Sequence, residues 1–438
     1  MRTFWPIAIL LLVGVLIWLG FERPEPRTGV AVIADPRPEN ALAQRTSPSS
    51  VPPVTSRPVP DPHDGQVEVC GLGWVDIATA EAQKDAAAAQ IFAASRSGSQ
   101  ALITRLKQDS SPFVQSVGLI AQAFIEIEAQ RVTRKAGTEP CEGPQCPETI
   151  VMSQVTDELA RRANQSSDPR LYALAFSMCR PPTQIPACLS LSASQWARID
   201  PENGAPWLFL AEPDATGKAS AAIDEVLFQI AKAKRVDSRY FSVAAEISRH
   251  AGKDDSSILA ASLTAIEAIG ISAARSMAPF QYLTRACRDA ALDDANRRQL
   301  CEGAAEALVT RSDSFLLALI GSGMGRRLGW DLARLDEFHG LAAASMDSLA
   351  AGQGIEGVSV SCAEASELLR RFDRQDEIGE VSHARQWLKE NGKSQAEYSQ
   401  KARENRLQAE AEETARKQAQ AASAARRQPN GINPSKPN

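Results

Sequence analysis

Residues 219–231 read ASAAIDEVLFQIA, which sets Ala219, Ala222, Ile223, Val226, Leu227, Ile230 and Ala231 at spacings of three and four. At 3.6 residues per turn those positions gather on one side, so the stretch predicts an amphipathic helix with a single buried stripe. The same spacing recurs upstream at Val151, Val155 and Leu159. Ser111-Pro112, ahead of FVQSVGLIAQAF, supplies an N-cap and a first-turn proline, the start signal of a further helix. Composition agrees: alanine is abundant, aromatics are 5% and charged residues 23%, and Ala, Leu, Glu, Gln and Arg lose little on entering a helix. Only residues 67–77, VEVCGLGWVDI, have a strand-like character, and Gly71 and Gly73 break them too early to expect a sheet. The expected class is all-α.

Three segments share a large residue followed four positions later by alanine: LYALA at 171–175, WLFLA at 207–211 and YFSVA at 240–244, their starts 36 and 33 residues apart. Turn signals precede each, at Asp168-Pro169, Asp200-Pro201-Glu202-Asn203 and Asp237-Ser238. The best single unit is Asp200 to Ala211, with Gly217 in the turn and the 219–231 stripe as its second helix. Over residues 168–270 this resembles the tetratricopeptide repeat. The resemblance implies stacked helical hairpins, a solenoid-like array, and a surface suited to protein or peptide partners.

Residues 4–21, FWPIAILLLVGVLIWLGF, form an uncharged run of eighteen with Trp5 and Trp18 near its ends. At 1.5 Å per residue the run just crosses a hydrocarbon core of about 30 Å, and no small-x-small cleavage site follows closely. The organisation expected is a transmembrane anchor at 1–21, a disordered linker at 22–66 holding ten of the 26 prolines, a helical domain at 67–390 and a charged tail at 391–438. Within the tail, residues 401–427 carry Leu407 as their sole large aliphatic, which suits a solvated helix and not a packed one.

Eight cysteines fall into local pairs, Cys141/Cys146, Cys179/Cys188 and Cys287/Cys301, with Cys70 and Cys362 near the ends of the helical domain. An even set of this kind reads as disulfides, which persist in an oxidising compartment. Together with the anchor this places the bulk outside the cytoplasm, in the periplasm of a bacterial inner-membrane protein.

No catalytic, cofactor or metal residue is expected. Net charge is −5, which gives nucleic acid no attractive field. Cys141 and Cys146 lack a second closely spaced pair for zinc, and His63, His250, His339 and His383 are scattered. Asp200, Glu202 and Gly204 miss the calcium-loop pattern, since glycine stands at the third ligand position. Ile320 to Trp330, IGSGMGRRLGW, fails as a dinucleotide loop because Arg326 occupies the third glycine position; close helix packing or a turn is expected instead. The adjacent acids Asp254/Asp255 and Asp293/Asp294 read as helix caps. Trp196, Trp207 and Tyr240, with Trp330, are candidate groove aromatics, although helical surroundings favour core packing. The function expected is a membrane-tethered scaffold, not an enzyme, binding protein or peptide partners; the alternative is an extracytoplasmic enzyme whose site converges only in three dimensions.

Overall fold

Ser111 and Pro112 behave as their residue types dictate: Pro112 opens a helix and the Ser111 hydroxyl accepts the Val114 N–H at 3.5 Å. The computed structural model describes residues 66–76, 81–133, 143, 145–180, 185–212, 221–275, 278–350 and 361–427. The anchor at 4–21, linker residues 22–65, Cys141, His63, Gly217, Ala219 and residues 428–438 lie outside them. Contacts divide the chain into Met1–Asp64 and Gly65–Asn438, and every described residue belongs to the second unit.

That unit is all-α. Its helices are α1 (Glu81–Gln108), α2 (Pro112–Thr133), α3 (Pro147–Asn164), α4 (Pro169–Met178), α5 (Ala193–Ile199), α6 (Ala205–Leu210), α7 (Ile223–Lys232) and α8 (Ser242–Arg249). They continue as α9 (Asp255–Arg275), α10 (Gln281–Ala286), α11 (Ala295–Thr310), α12 (Phe315–Arg327), α13 (Leu332–Ala350), α14 (Cys362–Ile378), α15 (Glu380–Glu390) and α16 (Gln395–Arg427). The strand-like stretch does pair, as an antiparallel hairpin of β1 (Gln66–Val69) and β2 (Gly73–Asp76). The glycines expected to break the pairing instead make its turn: Gly71 and Gly73 take φ of 77° and 73°, where side-chain-bearing residues are strained. Val69, Cys70 and Val75 then bury against Leu259 of α9.

Short polar residues start the helices where the sequence places them. Asp168 accepts the N–H groups of Arg170 and Leu171, Asp294 those of Asn296 and Arg297, and Asp254 that of Ser257. Ser257 and Ser256 hold the Asp254 carboxyl down at about 2. On α7, Val226, Leu227 and Ile230 are fully buried, as the 219–231 pattern requires, though the helix begins only at Ile223.

Packing is not confined to neighbours in sequence. The helix α9 lies against α1, α8 and α14, and α7 lies against α11, so segments more than sixty residues apart close one main core. Residues Asp255–Ala273 of α9 are apolar enough to span a membrane, at a mean hydropathy of 1.5, but Leu259, Ala260, Ala261 and Ala265 are sealed among those helices as core. Gly98 of α1 permits the approach, since a Cβ there would lie 2.1 Å from the Ser256 carbonyl oxygen. A second core joins α12, α13 and α15 through Phe315, Phe338, Leu341, Ala384 and Leu388.

The tail departs from expectation over its first turns. The helix α16 starts at Gln395, and its initial part docks on α13: the Ser399 backbone passes over Gly340, Tyr398 Oη donates to Asp347 at 2.7 Å, and Arg406 grips Asp336 through two bonds of 2.8 Å. Leu407 and the residues after it are predominantly exposed, as expected. What places Arg406 against the protein is a single buried carboxylate on another helix, which no local pattern in the tail records.

Two of the local cysteine pairs bond as their spacing suggests, and Cys70 and Cys362 bond across the length of the domain. Cys179–Cys188, Cys287–Cys301 and Cys70–Cys362 are disulfides, and Cys146 is disulfide-bonded as well. Cys287–Cys301 clamps the turn between α10 and α11 on which Asp294 caps α11.

Candidate functional site

The glycine-rich stretch from Ile320 delivers one residue, Trp330, to an open groove. It is helix α12 and its end, not a loop. Gly321 lets α11 approach, because a Cβ there would lie 2.7 Å from Leu308 Cβ and 2.8 Å from the Ala305 oxygen. Gly329 ends the helix at φ 84°, with its N–H bonded to Arg326 O at 3.2 Å and the Trp330 N–H returning to Gly325 O at 2.9 Å. That pair of bonds is the Schellman termination. It folds the Trp330 indole back over Gly325, where a Cβ would lie 2.2 Å from ring atom Cε3.

Trp330 thereby joins a groove of about 930 Å³ between α7 and α11. Phe228, Ala231, Leu300 and Trp330 give it apolar surface, while Lys232, Gln299, Glu302 and Glu306 supply polar groups. Gly303 sets the helix spacing, since a Cβ there would meet Ala231 Cβ at 2.8 Å. Phe228 is 47% exposed, with Lys232 Nζ 5.1 Å from the ring centre. Arg334 stacks on Trp330 at 4.0 Å and donates to Glu306 at 2.5 Å, fixing that wall. Gly325→Ala is expected to cost about 1–3 kcal/mol through overpacking against the indole, outweighing the gain of about 1 kcal/mol in helix propensity. Urea unfolding followed by tryptophan emission checks this; unchanged stability and emission would show that the indole does not occupy that seat.

Of the aromatics singled out in the sequence, the first three do not line this groove. Trp196 is a core residue, 3% exposed, packed with Phe176 and Phe209 at centroid distances of 5.7 and 6.0 Å. Its candidacy as a groove residue is thus corrected by burial. Trp207 is half-buried against the main core, and Tyr240 stands edge-on to Phe241 at 4.9 Å. Trp330 alone reaches the groove. Phe228 was missed, although a signal existed: it lies on the 219–231 helix yet outside the apolar stripe, so burial of that stripe leaves it facing out.

A second concentration of polar groups lies where three segments meet. The chain from Ala233 to Tyr240 runs extended past the start of α6 and the turn before α12, with Gly204 N–H bonded to Arg235 O and Val236 N–H to Arg311 O, each at 2.8 Å. Asp200 pairs with Arg235, Asp237 with Arg239 at 2.7 Å, and Arg239 holds a positive φ of 61°, unusual for a residue with a side chain. Asp313 accepts from Ser238 Oγ at 2.9 Å; burial and the neighbouring Asp237 charge push its carboxyl well above the usual range. Glu380, pushed up to about 7 by burial, accepts the Phe315 N–H at 2.6 Å. Asp376, raised by burial, pairs with Arg249 at 3.0 Å. These acids carry no shared sequence motif. Their bonds go to backbone N–H groups, a serine and an arginine: Asp313 fastens the turn before α12 to the extended segment, Glu380 joins α15 to α12, and Asp376 joins α14 to α8.

The histidines are equally engaged in structure. His250, at the end of α8, faces Glu246 O at 2.8 Å and Asp109 Oδ2 at 3.3 Å, while His339 and His383 lie inside helix packing. Cys70, Cys362 and Asp255 lie close enough for a metal site, but the two sulfurs are bonded to each other.

Comparison with known proteins yields no counterpart: no family model, curated protein or solved structure matches the chain.

Proposed function

We propose that the chain is a membrane-tethered, extracytoplasmic helical scaffold that takes an apolar-faced segment of a partner protein into the groove between α7 and α11. The observation that carries this reading is Phe228, held 47% exposed beside Leu300 and Trp330 with polar groups around them. An exposed aromatic lining a groove can anchor a partner, because covering it removes apolar area from water at about 25 cal/mol per Å². Disulfides support the oxidising side of a membrane, and the run at 4–21 supports the tether. The repeated pattern read in the sequence over 168–270 supports a binding surface, not a reaction centre.

The test is a photo-crosslinking amino acid placed at Phe228 of the full-length protein in its native membrane, with the same group at exposed Glu412 as control. One adduct specific to position 228, lost on Gly325→Ala, is the expected result. Identical adducts at both positions, or none, overturn it.

The enzyme reading has one observation in its favour, the buried Asp313, whose carboxyl is raised by burial and by the neighbouring Asp237 charge. Its test is separate: Asp237→Asn and Asp313→Asn would have to leave fold and crosslink intact while abolishing a measurable turnover.

A further inference from the structure

Three segments distant in sequence meet where the hairpin closes onto the helices: Cys70 follows β1, Asp255 opens α9 and Cys362 opens α14. The two Sγ atoms and a carboxylate oxygen of Asp255 all lie within 4.8 Å of one another. The cysteine Cα atoms are 4.4 Å apart, and Cys70 Sγ lies 3.4 Å from the Asp255 carbonyl oxygen. Gly71 fits the hairpin tip over Asp255, since a Cβ there would lie 3.4 Å from Asp255 Cβ. The two adjacent acids at this helix start are used differently. Asp254 caps α9, accepting from Ser256 Oγ at 2.7 Å and the Ser257 N–H at 3.0 Å. The Asp255 carboxylate is exposed and makes no hydrogen bond or ion pair among the described residues.

In the bridged chain the sulfurs spend their donor capacity on each other. In the reduced chain the same elements hold two thiols beside a carboxylate. Tetrahedral zinc, at about 2.3 Å from sulfur and about 2.0 Å from oxygen, sets its ligand atoms about 3.5–3.8 Å apart, a spacing that these three groups reach by side-chain rotation. Two thiolates select a thiophilic ion such as zinc over magnesium or calcium. Cys70 is buried and Cys362 half-buried, whereas exposed Asp255 leaves the fourth position to water. The starts of α9 and α14 favour anionic ligands, and Glu364, bonded to Ser361 beside Cys362, adds negative charge.

We propose that Cys70, Cys362 and Asp255 bind one Zn²⁺ whenever the Cys70–Cys362 bridge is open, so that zinc and the disulfide are alternative closures of the same 292-residue loop. Binding releases one proton from each thiol, two in all. When a disulfide oxidant takes up two electrons and two protons, its own sulfurs become thiols, Cys70 and Cys362 join, and the ion returns to solvent. The site is therefore gated by oxidation. In a chain not yet oxidised, zinc would hold the hairpin on α9 and α14 with the sulfurs placed for the later bond. This inference is independent of the groove, which involves none of these residues.

The experiment uses the full chain in detergent, reduced with a water-soluble phosphine, which takes the oxygen of one water while each disulfide takes two hydrogens. Zinc chloride is the probe and magnesium chloride the control, and the alkylation rate of each cysteine is read by peptide mass spectrometry. The expected result is that zinc, and not magnesium, slows alkylation of Cys70 and Cys362. Asp255→Asn should raise the zinc concentration needed by about tenfold or more, since loss of even an outer-shell partner weakens metal sites that much. The same substitution should leave alkylation of Cys287 and Cys301 in zinc unchanged, which separates this site from the other opened pairs. Because Asp255 is exposed, the oxidised variant should unfold at the same urea concentration as the parent. Should reduction alone loosen the hairpin, the reduction is repeated with zinc present throughout, and slow amide exchange of β1 and β2 becomes the expected result. Absence of zinc protection at Cys70 and Cys362 under both procedures, or protection unaltered by Asp255→Asn, overturns the proposal.

Discussion

Glu380→Gln is expected to stabilise the protein by roughly 3 kcal/mol at pH 8 while leaving it nearly unchanged at pH 4.5, a difference that follows from a shift of the carboxyl from 4.5 to about 7. Glu380 opens α15 and accepts the first N–H of α12. A negative charge at a helix start is favourable in itself, by up to about 2 kcal/mol in partly buried geometry. Desolvation is the larger effect here, because the group titrates higher in the folded protein than in the unfolded chain. The folded state therefore binds the extra proton between those two values. Its contribution to stability is fully present below 4.5 and is lost as pH rises through about 7. Glutamine keeps an acceptor for Phe315 and never ionises, so it escapes the loss. His383 drives the opposite way, losing stability as pH falls from 6.5 toward about 4, but it is common to both proteins and cancels in their difference. Urea unfolding of both at pH 4.5, 6 and 8 measures the effect; a difference that does not grow with pH would show that Glu380 is solvated in the folded state.

The acids around Glu380 also mark where sequence reading stops. Helix starts were legible because each is a local matter: Asp168, Ser111 and Asp294 cap the residues that follow them by two or three. The α7 stripe was legible for the same reason, and the glycines of 320–330 declared close packing by their failure to fit a nucleotide loop. The Asp313, Glu380 and Arg239 junction was not legible. Asp313 and Glu380 act on segments 75 and 65 residues away and Arg239 reaches back to Asp200, and no one of them differs in sequence from a surface acid or base. Docking of α16 was hidden likewise: Arg406 reads as one more charged residue until Asp336, seventy positions back, is found buried beneath it. Phe228 lies between these cases, since the stripe that excludes it is visible while the α11 wall that makes it part of a groove is not.

Burial of the hairpin beside α9 depends on one covalent closure, and its removal is the second large effect expected. Cys70→Ala with Cys362→Ala opens a loop of 292 residues. In the chain-entropy account such a loop is worth up to about 5 kcal/mol, against about 3 kcal/mol for one of some fifteen residues. Cys287–Cys301 and Cys179–Cys188 close only 14 and 9 residues, so the predicted order of loss is Cys70–Cys362 first, Cys287–Cys301 second and Cys179–Cys188 last. Enthalpy argues in the same direction for the long bridge. Val69, Cys70 and Val75 are the hairpin's hold on Leu259, and a two-stranded hairpin is marginal on its own. Without the bridge, β1 and β2 should exchange amide hydrogens far faster than α9, while the main core around Leu227 and Leu308 keeps its protection. Denaturation of the three double variants, with hydrogen exchange on the first, measures both halves of the argument. If the short bridges prove worth as much as the long one, loop entropy is not what the disulfides supply. If the hairpin keeps its protection after both cysteines are gone, its apolar contacts with α9 are sufficient and the bridge is a lock on a segment already held in place.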